Sequence, residues 1–142
     1  MRILGLDVGR RRVGVAVSDP TGLIATPLEV IEFRSLKEAI RRILEICREQ
    51  QAELIVVGLP VTLGGEIGPQ AREVLQFVEA LRRRSPVPVE TWDERLSTVG
   101  AARLLQAGGH DSRSMRGRLD AAAAAFMLQG YLDSRRRAET GQ

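Results

Sequence analysis

The chain has 142 residues, 44% hydrophobic and 27% charged, which suits one globular domain with a sizeable core. No apolar run approaches the ~20 residues that a membrane helix needs. One cysteine, Cys47, and one histidine, His110, exclude an internal disulfide and a zinc site made of Cys and His.

The net charge is +3, yet the pI is about 9.9. Lys37 is the single lysine, so nearly all the basic charge is arginine, concentrated at Arg10-Arg11-Arg12, Arg82-Arg83-Arg84 and Arg135-Arg136-Arg137. Guanidinium groups fork onto phosphate, so such runs suit a nucleic-acid backbone, although the last two also read as solvated surface. The chain opens on a strand pattern rather than a charged-then-apolar leader, and a cytoplasmic location is the expectation.

Residues 2–8 and 13–18 are β-rich runs joined by Gly9-Arg10-Arg11-Arg12, a hairpin-like connection. Asp19-Pro20-Thr21-Gly22 is a turn, and Leu23 to Ile31 makes a third strand interrupted by Pro27. Ser35 caps a helix through Gln50 whose apolar stripe includes Ala39, Ile40, Ile43 and Cys47. Glu53 to Gly58 is a strand apolar on both faces. A loop containing Gly64-Gly65 leads to Pro69, which opens a helix to about Arg84. Val87 to Trp92 is the fifth strand. Ser97 or Thr98 caps a helix to Gln106, ended by Gly108-Gly109. A last helix spans about Arg118 to Leu132.

The order βββαβαβαα predicts an α/β fold with a mixed five-stranded sheet: three antiparallel strands, then two reached by helical crossovers. Residues 1–134 form the domain and 135–142 a frayed tail.

Three acidic positions stand in apolar settings. Asp7 lies inside a buried strand with no Lys or Arg between Arg2 and Arg10, and an unpaired charge there is expensive. It is either a metal ligand or a carboxylate satisfied by backbone amides of the Gly9 turn. Gly5 on its face, with Gly14, Ala16 and Ser18 alongside, predicts a low surface open to a bulky substrate. Asp93-Glu94-Arg95 ends the fifth strand, at the sheet edge where α/β ligands bind. Asp120 lies in the first turn of the last helix, where a carboxylate also favours the helix dipole. Together they form a candidate hard-oxygen site for Mg²⁺ or Mn²⁺, able to support phosphodiester hydrolysis.

The blocks Gly5-Leu6-Asp7-Val8-Gly9, Arg12-Val13-Gly14-Val15-Ala16-Val17-Ser18-Asp19, Gly58-Leu59-Pro60, Asp93-Glu94-Arg95-Leu96-Ser97-Thr98, Asp120-Ala121-Ala122-Ala123 and Leu128-Gln129-Gly130-Tyr131-Leu132 resemble the YqgF/RuvX family. The resemblance implies an RNase H-like fold and a nuclease that matures the 5′ end of pre-16S ribosomal RNA. It implies Asp7, Glu94 and Asp120 as catalytic acids, with Asp7, Asp93, Glu94 and Asp120 as the candidate metal ligands. Arg12, Arg95, Arg116 and Arg118 are the candidate nucleic-acid contacts; the last two stand where the family usually has a lysine. Related junction resolvases place an acid on strand four, whereas this strand ends in Gly58-Leu59-Pro60 and Glu94 would substitute from strand five.

Two alternatives within nucleic-acid chemistry are a Holliday junction resolvase acting on branched DNA and a non-catalytic RNA-binding protein. The latter is disfavoured by 4% aromatic residues. An actin-like ATPase or sugar-kinase module shares the strand with Asp7-Val8-Gly9 but needs two such domains. The expected oligomeric state is a monomer or weak homodimer.

Overall fold

The computed structural model describes residues 1–62, 64–94 and 113–139, with the backbone alone for 113–119. The strands are β1 (Ile3–Val8), β2 (Arg12–Ser18), β3 (Ala25–Glu32), β4 (Leu54–Leu59) and β5 (Val89–Asp93). The helices are α1 (Leu36–Glu49), α2 (Pro69–Arg82) and α3 (Arg113–Glu139). The strands form one sheet in the order β3-β2-β1-β4-β5. β1, β2 and β3 pair antiparallel, whereas β4 pairs parallel to both β1 and β5, as the expected strand order requires. The helix expected between Ser97 or Thr98 and Gln106 lies outside the described residues.

Local chemistry sets the element ends. The Gly9 amide donates to the Arg12 carbonyl at 2.7 Å and closes the β1–β2 hairpin. The Ser35 hydroxyl accepts from the Glu38 amide at 3.2 Å and caps α1, while Pro69 opens α2. β3 starts later than the sequence suggests because the Leu23 and Ile24 amides donate to Asp19 Oδ1 at 2.8 and 2.9 Å. The Thr21 hydroxyl, foremost, and these amides hold the Asp19 carboxyl well below the usual carboxylate range. Pro27 does interrupt the ladder: Val15 faces Glu29 and Ala16 faces Pro27, leaving Leu28 as the extra residue of a bulge.

One face of the sheet packs Leu4, Leu6, Val13, Val15, Ile55 and Val57 against Ile40, Ile43 and Ile46 of α1 and Val74, Phe77 and Leu81 of α2. The other face joins Ile3, Ala16, Leu54 and Val56 to Ala123, Ala124, Met127, Leu128 and Leu132 of α3. A Cβ placed on Gly5 would lie 2.9 Å from Leu128 Cβ. One on Gly14 would lie 2.2 Å from the Asp120 carbonyl oxygen. The low surface predicted as an approach for substrate is therefore filled by α3. The alanines at 121–125 carry so little side chain that the helix settles onto the strand backbone.

The last helix is longer than expected at both ends. It begins at Arg113, so Asp120, expected in its first turn beside the helix dipole, lies about two turns in, and residues 135–139, assigned to a frayed tail, continue it to Glu139. Arg136 Nη2 meets Asp133 at 2.7 Å and Arg135 meets Glu139 at 3.6 Å, pairs at the spacings that support a solvated helix. No helix among the described residues is long and apolar enough to cross a membrane.

Candidate functional site

Asp7 and Ser18 are the buried polar side chains among the described residues, and their settings differ. The Ser18 hydroxyl accepts from the Ile3 amide at 2.8 Å and donates to the Asp19 carbonyl at 3.1 Å, so it ties strand ends together. Asp7, only 8% exposed, is at the C-terminal end of β1 on the α3 face. The Gly9 amide, a candidate for satisfying it, is spent on the Arg12 carbonyl.

Two glycines bring other acids to Asp7. Gly14 is its antiparallel partner on β2, and the Asp120 carbonyl rests directly on Gly14. Asp7 and Asp120 accordingly line one cleft of about 450 Å³, together with Gly9, Arg10, Arg11, Arg12 and Gln70. On the other side of β1, Leu6 is paired with Val57, so the step containing Asp7 reaches Gly58 on β4. A Cβ on Gly58 would lie 2.8 Å from Glu94 Oε1 and 3.1 Å from Glu94 Cγ. Glu94, just past the end of β5, thus folds back over β4, and the glycine leaves room for its carboxylate.

The register also separates the adjacent acids. Gly58 pairs with Trp92 and Leu59 with Asp93. Leu59 packs on the α1/α2 core, whereas Trp92 packs on the α3 core. Asp93 belongs to the first face, and Glu94, two residues beyond Trp92, to the second. Trp92 is braced by Tyr131 of α3, edge to face with centroids 5.6 Å apart. The Tyr131 hydroxyl donates to Glu90 Oε2 at 2.7 Å; burial, then this carboxylate, pushes its pKa up to about 12.

Asp120 therefore stands over β2, Asp7 on β1 and Glu94 over β4, on one face of three adjacent strands. Among the described residues no three His, Cys, Asp or Glu side chains stand close enough to hold a metal as a group. Arg12 Nη1 lies 3.8 Å from Asp120 Oδ2 while its Nε lies 3.8 Å from Glu32. The donor set is entirely carboxylate oxygen, which fits a hard cation such as Mg²⁺ or Mn²⁺.

Of the expected arginines, Arg12 borders the cleft. Arg95 lies outside the described residues, and Arg116 and Arg118 are described only as helix backbone. Sequence reasoning missed Gln70 and the role of Gly58. The signal for Gly58 was present as the missing acid of strand four, and an acid from β5 now occupies the space above it.

An RNase H-like sheet with acids at the ends of β1 and β5 and on the helix packed across them defines the class of protein. Two solved structures share the fold: Thermus thermophilus RuvC in complex with a Holliday junction substrate, TM-score 0.58, 18% identity, covering 96% of each chain; and the fowlpox virus resolvase with junction DNA, TM-score 0.54, 11% identity, covering 94% of this chain and 98% of that one. The model of the RuvX family, described as Holliday junction resolvase, matches residues 1–134, and the chain belongs to that family. Curated relatives named as candidate pre-16S rRNA nucleases include one from Desulforudis audaxviator, 48% identical over 136 residues and covering 96% of both chains. Another, from Clostridium novyi, is 43% identical over 134 residues, covering 94% of this chain and 99% of its own.

Proposed function

We propose that this protein is a nuclease that hydrolyses phosphodiester bonds in structured RNA, and that its substrate is the 5′ end of pre-16S ribosomal RNA. The observation that carries the chemistry is the row of Asp120, Asp7 and Glu94 on one face over adjacent strands. The names of the curated relatives support the substrate.

Asp7, Glu94 and Asp120 would hold Mg²⁺ or Mn²⁺. When bound, such an ion supplies Lewis-acid activation of water and stabilises the leaving oxygen. Asp7, buried within β1, is anchored by the sheet and orients the site. Glu94 reaches in over Gly58, and Asp120 is carried by the part of α3 that rests on Gly14. Arg12 neutralises Asp120 and stands at the cleft wall, where its guanidinium is placed to take a phosphate of the bound strand.

Asp7→Asn keeps the shape of the side chain and removes its charge. Cleavage of a pre-16S 5′-end transcript in Mn²⁺ is expected to fall at least about a hundredfold, a loss typical of removing a group that stabilises transition-state charge. Unchanged cleavage by the folded variant would sink the mechanism. A branched DNA junction run in parallel tests the other substrate: preferential cutting of the junction would replace the RNA reading.

A further inference from the structure

Beside the acidic cleft lies a second, larger groove of about 730 Å³, formed where the β1–β2 turn meets the heads of α1 and α2. Its apolar lining includes Val8, Phe33, Leu36 and Phe77, and its polar lining Gln70 and Gln76. Phe33 is half-buried, and Leu36 in the first turn of α1 is 44% exposed. The two depressions share Val8, Gly9, Arg10 and Gln70, so they adjoin across the arginine turn.

We propose that this groove receives the base of an unpaired nucleotide adjoining the bond placed over Asp7. The inference rests on the nucleic-acid reading above and adds a substrate class: a strand with at least one unpaired nucleotide beside the cut. Charge decides which part of the nucleotide enters. Arg10, Arg11 and Arg12 line the acidic cleft, so the backbone phosphates belong on that ridge. The groove beyond it is lined by Arg10 and Glu73, 3.8 Å apart, so its charge is balanced and it offers a phosphate no net attraction. A neutral base needs none. Its faces suit Phe33 and Leu36, and its edge can exchange hydrogen bonds with the amides of Gln70 and Gln76. The low aromatic content argues against a long stacking platform, but a single base needs only one such pocket.

The test is fluorescence anisotropy in EDTA, with an RNA hairpin carrying a short single-stranded 5′ overhang and the same hairpin made blunt. The overhang hairpin is expected to bind about tenfold more tightly, the scale of one stacked base. Phe33→Ala should abolish that preference while leaving affinity for the blunt hairpin unchanged. Leu36→Glu, at an exposed position that leaves the core intact, should do the same. Equal affinity of the wild-type protein for both hairpins would overturn the groove assignment alone and return the groove to a protein partner or a second copy. So would a loss in the variants that is equal on both hairpins. Binding of neither hairpin would overturn the RNA reading, and this assignment with it.

Discussion

The two faces of the sheet do different work with different residues. The α1/α2 face interdigitates large aliphatic side chains, and its helices stand a full side-chain layer off the strands. On the α3 face, Gly5, Gly14, Ala16 and Gly58 meet a helix rich in alanine, and the helix backbone comes down to the strands. The first face supplies hydrophobic burial, which tolerates moderate changes of shape. The second face supplies position. It holds Asp120 over β2 and leaves room for Glu94 over β4, so the carboxylates are set by the absence of side chains beneath them.

Substitutions should break the two faces in different ways. Ile43→Ala, at a fully buried site on the aliphatic face, should cost about 2–5 kcal/mol in denaturant unfolding. The fraction that remains folded should cleave RNA at the wild-type rate. Gly14→Ala adds one methyl against the Asp120 backbone, which cannot rotate aside, and should cost about 3 kcal/mol, the upper end of overpacking penalties. Its residual folded fraction should also lose activity, because the segment of α3 that carries Asp120 is displaced.

Gly58→Ala sharpens the comparison further. The added methyl meets the flexible end of Glu94 and the Met127 side chain, so the stability loss should be only about 1 kcal/mol. Activity should nonetheless fall by more than about tenfold, the scale of a misplaced catalytic group. Combining it with Glu94→Asp, which withdraws the carboxylate by one methylene, should recover part of the loss. A Gly58→Ala variant with full activity would show that the space above β4 does not position Glu94.

The smallest effect is one of pH. Tyr131 is the only tyrosine, so its ionisation is read directly by ultraviolet absorbance. Its folded pKa is raised from 10.0 to about 12, so the folded state holds the proton more tightly than the unfolded chain. That contribution is fully present below pH 10 and is lost as pH rises toward 12. Fluorescence of Trp92, the only tryptophan, should report loosening of the α3 contact over the same range.

The strand order, α1 and α2 were legible because each is written in local periodicity and punctuation, such as Ser35 and Pro69 at the helix starts. Asp7 was legible as a charge that its strand could not explain. The choice between Asp93 and Glu94 was not, because it depends on the β4–β5 register, which pairs Leu59 with Asp93 and is fixed only by the assembled sheet. The glycines were misread for a related reason. A glycine lane in one strand is open or filled according to what crosses it, and the helix that fills it lies more than a hundred residues away in sequence. The arginines assigned to the tail were read as frayed from composition, yet they pair with Asp133 and Glu139 along α3.

The central claim is that Asp7, Glu94 and Asp120 act as one site on the α3 face while Asp93 belongs to the other. Calorimetric titration of Mn²⁺ into the wild type and into Asp7→Asn, Glu94→Gln, Asp120→Asn and Asp93→Asn tests it most directly. The first three variants should each weaken Mn²⁺ binding at least about tenfold, as expected when a charged ligand is lost, and Asp93→Asn should bind like the wild type. Loss of binding in Asp93→Asn, or wild-type binding in Asp7→Asn, would contradict it.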